Sequence, residues 1–149
     1  MRAPPPVLVV DAAVLISAVF GRSAGIIAKV RRAAILVTTD RVLAEARRRI
    51  ELGLNRPDLL ALLDELADAL TVVPVADLDM LLDDAAASLR DAVASRNGST
   101  RDAHVLALAW NIDADVWTTD RDFAGAGVAT WSTPNLMRGL GQAARDGEP

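Results

Sequence analysis

The sequence predicts a three-layer α/β fold, with helices on both faces of a parallel sheet. Short apolar runs alternate with segments of helical period along most of its 149 residues, the pattern of strand–helix–strand units. The first run, Val7–Val10, is apolar at every position, as in a strand covered on both faces. Two of the runs end in Asp, and parallel sheets bind ligands beyond the carboxyl ends of their strands.

The elements follow in order. After Val7–Val10, residues 12–20 read as a short helix. Ser23 caps a helix running to about Ala34. Ile35-Leu36-Val37 is the second strand, and a helix from about Arg41 to Leu52 ends on Gly53 as its C-cap. Pro57 suits the first turn of a helix carrying Leu59, Leu62, Leu63, Leu66 and Leu70 on one face. Thr71-Val72-Val73 is the third strand. Leu78, Leu81, Leu82, Ala85, Leu89 and Val93 stripe a long helix, and Asn97-Gly98-Ser99 breaks the chain. A mostly apolar helix spans about Arg101 to Trp110. Val116-Trp117-Thr118 and Val128–Trp131 are the last strands, with a short helical turn after Pro134.

Length predicts one domain, over residues 7–138, between disordered tails at 1–6 and 139–149. The absence of Cys excludes a disulfide scaffold, a thiolate nucleophile and Cys-ligated zinc. The single His, His104, excludes a multi-His metal site. No apolar run approaches the ~18 residues of a membrane span, and the Pro-rich start does not read as a signal peptide, so a soluble cytoplasmic protein is expected.

Net charge is −4 and unevenly spread, +6 over residues 1–57 and −10 over 58–149. Fifteen of the 16 basic residues are Arg, which offers bidentate contacts to phosphate but also follows from a GC-rich genome. The overall charge lends nucleic-acid binding no support.

Acidic residues gather where the fold would bind a ligand. Asp11 and Asp120 end the first and fourth strands. Glu45 lies in the first turns of the helix after the second strand, Asp102 starts the helix before the fourth, and Asp122 follows Asp120 by two. Converging carboxylates repel unless a cation neutralises them, and hard oxygen ligands suit Mg²⁺ or Mn²⁺. Such an ion lowers the pKa of bound water and stabilises attack on a phosphodiester. Taken singly, each residue has a plain reading: turn residue or N-cap for the strand-end Asp residues, dipole-favoured carboxylate for Asp102, solvated helix residue for Glu45. Coincidence of all four is harder to explain that way. Thr-Thr-Asp-Arg occurs at both 38–41 and 118–121; in the first copy a capped helix start, on Thr39 or Asp40, is the simpler reading than a ligand.

Four stretches in this order resemble the PIN-domain nucleases: Val-Val-Asp11-Ala-Ala-Val-Leu-Ile-Ser17, Val-Thr-Thr-Asp-Arg-Val-Leu-Ala-Glu45, Asp102-Ala-His-Val-Leu-Ala-Leu-Ala109 and Val-Trp-Thr-Thr-Asp120-Arg-Asp-Phe123. The resemblance spans residues 7 to about 133. It implies a five-stranded parallel sheet in the order 3-2-1-4-5 and a metal-dependent ribonuclease, often the VapC-like toxin paired with an antitoxin protein and often a homodimer. By position, Asp11, Glu45, Asp102 and Asp120 become the acidic quartet around Mg²⁺ or Mn²⁺, Asp122 an optional fifth ligand, and Thr118 or Thr119 a hydroxyl partner. One departure stands out. The family commonly follows its first Asp with Thr or Ser and then Asn, whereas Ala12 and Ala13 stand here. Losing such supporting groups costs ~10–100-fold in metal affinity or activity, which supports the alternative of a PIN-like binding module without catalysis.

Other groups have two readings each. Arg41, Arg48 and Arg49 share a helix side with Glu45; with Thr119 they contact RNA, or they form exposed ion pairs with Glu45 or Glu51. His104 reads as a packed helix residue rather than a base. Trp110, Trp117 and Trp131 read as core or interface. The Leu59–Leu70 stripe is core and extends into a homodimer face. A dehalogenase-like enzyme would want Asp at position 13, which is Ala. A receiver domain would want a late Lys, and the only Lys is Lys29. A P-loop motif is absent.

Overall fold

The strand β1 (Val7–Val10) sits at the centre of a five-stranded sheet. The computed structural model describes residues 6–21, 24–91, 102–119 and 127–146. On one side of β1 lies β2 (Ile35–Thr39), followed at the edge by β3 (Thr71–Val73); on the other lie β4 (Asp115–Trp117) and β5 (Thr130–Trp131). The order is β3-β2-β1-β4-β5 and every pairing is parallel. Val9 faces Val37 in β2 and Val116 in β4. Burial on both faces explains why β1 is apolar throughout.

Right-handed crossovers decide the layers. The chain moves outward from β1 to β3, then returns across the sheet to β4 and β5, so its helices fall on opposite faces. α1 (Ala12–Val19) packs against α2 (Ala24–Arg31), α3 (Asp40–Arg48) and α4 (Leu60–Asp68) in one layer. α5 (Asp79–Asp91) packs on α6 (Ala103–Ile112), which covers β1 and β2 from the other side. All seven residues from Ala103 to Ala109 are buried. A helix apolar all round belongs between layers, and its small Ala side chains let it approach closely. Among the described residues no helix is long and apolar enough to cross a membrane.

The structure departs from the sequence reading in several places. The helix expected to reach Leu52 is α-helical only to Arg48 and continues as a π-helical turn, Arg49–Gly53, closed by a bond from Leu54 N–H to the Arg49 carbonyl at 2.8 Å. Ile50 is fully buried in this wider turn. Asn55, with φ 53°, takes the left-handed conformation expected of Gly53. Strand β2 runs two residues further, through Thr39, because Thr38 and Thr39 satisfy their hydroxyls internally. The tail expected from Gly139 is helical instead: α7 spans Thr133–Asp146. Ser132 accepts from Asn135 N–H at 3.2 Å at its start, and Leu136 anchors it in the core. The Leu stripe of α4 is only partly covered: Leu63 is buried, whereas Leu59, Leu62, Leu66 and Leu70 are half-buried. The expected break at 97–99 and residues 1–5 lie outside the described residues.

Candidate active site

Asp11 directly follows β1, where the strand order reverses. Neighbouring connections leave the sheet in opposite directions there, and a crevice opens between them. The residue is held from several sides. Its amide donates to the Trp117 carbonyl in β4 at 3.1 Å. The residue is 5% exposed, its Oδ1 accepting from Ala12 N–H at 2.7 Å and its Oδ2 from the Thr118 hydroxyl at 2.7 Å. Thr118 is itself buried, and its amide donates to the Trp131 carbonyl at 3.1 Å. The N-cap role and the proposed ligand role are therefore not exclusive: Asp11 caps α1 and also meets β4.

Threonine hydroxyls continue across this edge. Thr38 donates to the Val10 carbonyl at 2.8 Å, tying β2 to β1. Thr39 is the N-cap of α3, accepting from Val42 N–H at 3.0 Å, and its hydroxyl also lies 2.8 Å from His104 Nδ1. Asp40, one residue on, accepts from Val75 N–H at 2.9 Å and so fastens the start of α3 to the chain after β3. This is the capped helix start that the sequence suggested.

His104 is 1% exposed in α6. Burial, aided by the positive charge of Arg41 and opposed by Asp40, pushes its pKa down to about 4. At neutral pH the ring is uncharged and hydrogen-bonded, a packed residue rather than a proton acceptor at the surface.

Two further acidic residues of the expected quartet, Asp102 and Glu45, lie among the described residues. Asp102 is the half-buried N-cap residue of α6, and its side chain makes no capping bond. The last turn of α6 leads straight into the start of β4, Ala114 N–H donating to the Ala109 carbonyl at 2.9 Å, so the opposite end of the helix lies at the carboxyl edge. Glu45 is half-buried, about a turn and a half into α3. Asp120 and Asp122 lie outside the described residues. Among the described residues no three Asp, Glu or His side chains come together closely enough to hold a metal ion. At the end of β1 the Asp11 carboxylate and the Thr118 hydroxyl are hard oxygen donors, whose chemistry fits Mg²⁺ or Mn²⁺ and not a soft metal.

Arg41, Arg48 and Arg49 are exposed, as is Thr119. The ion pairs Arg47–Asp64 and Arg56–Asp58 involve none of the three arginines. Arg49 lines a cleft of about 400 Å³ with Ala13, Ile16, Ser17, Phe20 and Leu54, which the sequence reading missed. One face of α1 forms its wall, and Arg56 lies over the Phe20 ring at 5.8 Å from the centroid. Ala13, where the resemblance leads one to expect a polar side chain, leaves that wall apolar beside Asp11.

Fold and edge together define a parallel α/β protein with a buried carboxylate, Asp11, at its topological switch point. The chain matches the PIN domain over residues 9–140 and belongs to the PIN domain family, a nuclease fold. No curated protein matches it significantly.

Proposed function

We propose that this protein is an endoribonuclease that depends on Mg²⁺ or Mn²⁺ and serves as the toxin of a toxin–antitoxin pair. The observation that carries the reading is the buried Asp11 carboxylate at the switch point of a PIN domain, oriented by Thr118. Asp11, Glu45, Asp102 and Asp120 would hold the cation, with Asp122 as an optional fifth ligand. The bound ion supplies a water of lowered pKa and charge stabilisation at the phosphodiester. Asp11 keeps its geometry through the bonds from Thr118 and Ala12, so little reorganisation is needed on loading. Arg41, Arg48, Arg49 and Thr119 are accessible to take phosphates of single-stranded RNA. Hydrolysis with water as nucleophile leaves 5′-phosphate products. The partly covered leucines of α4 supply a homodimer face, and an antitoxin protein is the expected partner.

A second reading, a PIN-fold binding module without catalysis, is favoured by Ala12 and Ala13 beside Asp11. One assay separates the two: cleavage of an RNA pool by wild type and Asp11→Asn, with Mn²⁺ and with chelator. The nuclease reading expects cleavage that needs Mn²⁺ and falls by about 10² or more in the variant. Cleavage surviving both chelator and substitution would refute the mechanism. Folded wild type that binds RNA without cutting it would favour the binding module.

A further inference from the structure

His104 and Thr39 lie 65 positions apart in sequence, one in α6 and the other at the end of β2, yet their side chains meet at 2.8 Å. The Thr39 oxygen does two things at once. It accepts from Val42 N–H, which fixes the first turn of α3, and it shares a hydrogen with His104 Nδ1 in the first turn of α6. Both side chains are buried, Thr39 fully and His104 at 1% exposure, so water does not compete for the bond. α3 carries Glu45, and α6 begins at Asp102. One hydroxyl at the end of β2 thus joins the two helices that carry these carboxylates.

We propose that His104 is a positioning residue: through Thr39 it fixes the start of α6 against the start of α3, and thereby fixes Asp102 relative to Glu45 for divalent-cation binding. The proposal rests on the metal-site reading above. Packing alone does not need an imidazole at this position; any apolar side chain of similar volume fills the space. What the imidazole adds is a polar atom that ties α6, through the Thr39 hydroxyl, to the start of α3.

Two substitutions pull packing and positioning apart. His104→Leu keeps apolar volume and removes the bond. His104→Asn loses volume but presents a polar atom near the place of Nδ1. The readouts are Mn²⁺ affinity of the full chain by calorimetry and thermal stability of the same samples. Positioning predicts that the Leu variant stays folded while its Kd for Mn²⁺ rises about tenfold or more. The Asn variant should melt earlier yet bind Mn²⁺ close to wild type. Thr39→Ser should likewise retain affinity and Thr39→Val lose it. A Leu variant that binds Mn²⁺ as wild type does would overturn the proposal and leave the metal site standing. Folded wild type that binds no Mn²⁺ would overturn both together.

Discussion

The Thr118 hydroxyl donates to Asp11 Oδ2 at 2.7 Å across 107 positions of sequence, and both side chains are buried. A carboxylate placed this way has one oxygen aimed by the residue that directly follows the neighbouring strand β4. Thr118→Val should keep the fold, lower Mn²⁺ affinity by about tenfold and slow RNA cleavage, because the oriented donor is lost. Thr118→Ser should restore both. Calorimetry with Mn²⁺ and circular dichroism on the same variants check this; equal affinity for wild type and the Val variant would show that the hydroxyl only fills space.

Stability should fall with acid through His104. The unfolded chain takes up this proton near pH 6.5, the folded chain only near 4. Above 6.5 neither state is protonated and the residue adds no pH dependence. As pH falls from 6.5 toward 4 the unfolded state binds more protons, and stability should drop by about 3 kcal/mol in all. Urea denaturation of wild type and His104→Leu at pH 8, 6.5 and 5 reads the difference. The two curves should converge in slope above 6.5 and diverge below it, and parallel curves throughout would contradict the burial-driven shift.

Arginines beside Glu45 should act on RNA rather than on chemistry. Replacing Arg48 and Arg49 by Ala should raise KM several-fold with little change in kcat, and each lost phosphate contact should lower the salt slope of binding by about one. A fall in kcat at unchanged KM would place these side chains at the reacting phosphate instead.

A homodimer should form through α4. Leu59, Leu62 and Leu66 pack against the core with one side while the rest of each side chain stays accessible. Light scattering at high micromolar concentration should give twice the chain mass, and Leu62→Glu should give a monomer. A monomeric wild type under those conditions would leave the stripe as core edge alone.

The fold was legible because its signals are local. Val7–Val10 and Thr71–Val73 stand where their β-branched runs end, and the Ala-rich stretch after Asp102 is the helix its composition suggests. The π-helical turn at Arg49–Gly53 was not legible, since its residues suit an α-helix equally well and the tertiary burial of Ile50 decides the geometry. Likewise the last helix was underrated: two glycines, at 139 and 141, weaken its intrinsic propensity, and the packing of Leu136, Met137 and Leu140 overrides it. At the site, the sequence could rank Asp11 as a strand-end acid, and the family resemblance added Thr118 or Thr119 as a hydroxyl partner, but only the fold pairs Thr118 with Asp11. It had no means of pairing Thr39 with His104, because no local spacing encodes a contact between layers.

The central position of β1 has a consequence for when the site comes into being. Its partner β2 follows within thirty-odd residues, but β4 is made more than a hundred residues later, and only β4 brings Trp117 and Thr118 to Asp11. Pairings of such long sequence separation form late and slowly. On the ribosome, which extends the chain from its N-terminus at ~5–20 residues per second, the first strand therefore waits with one edge open until β4 has been made. The bond from Thr118 to Asp11 cannot form before residue 118 has been made. The arrival of β4, rather than any separate signal, is what closes the sheet around Asp11.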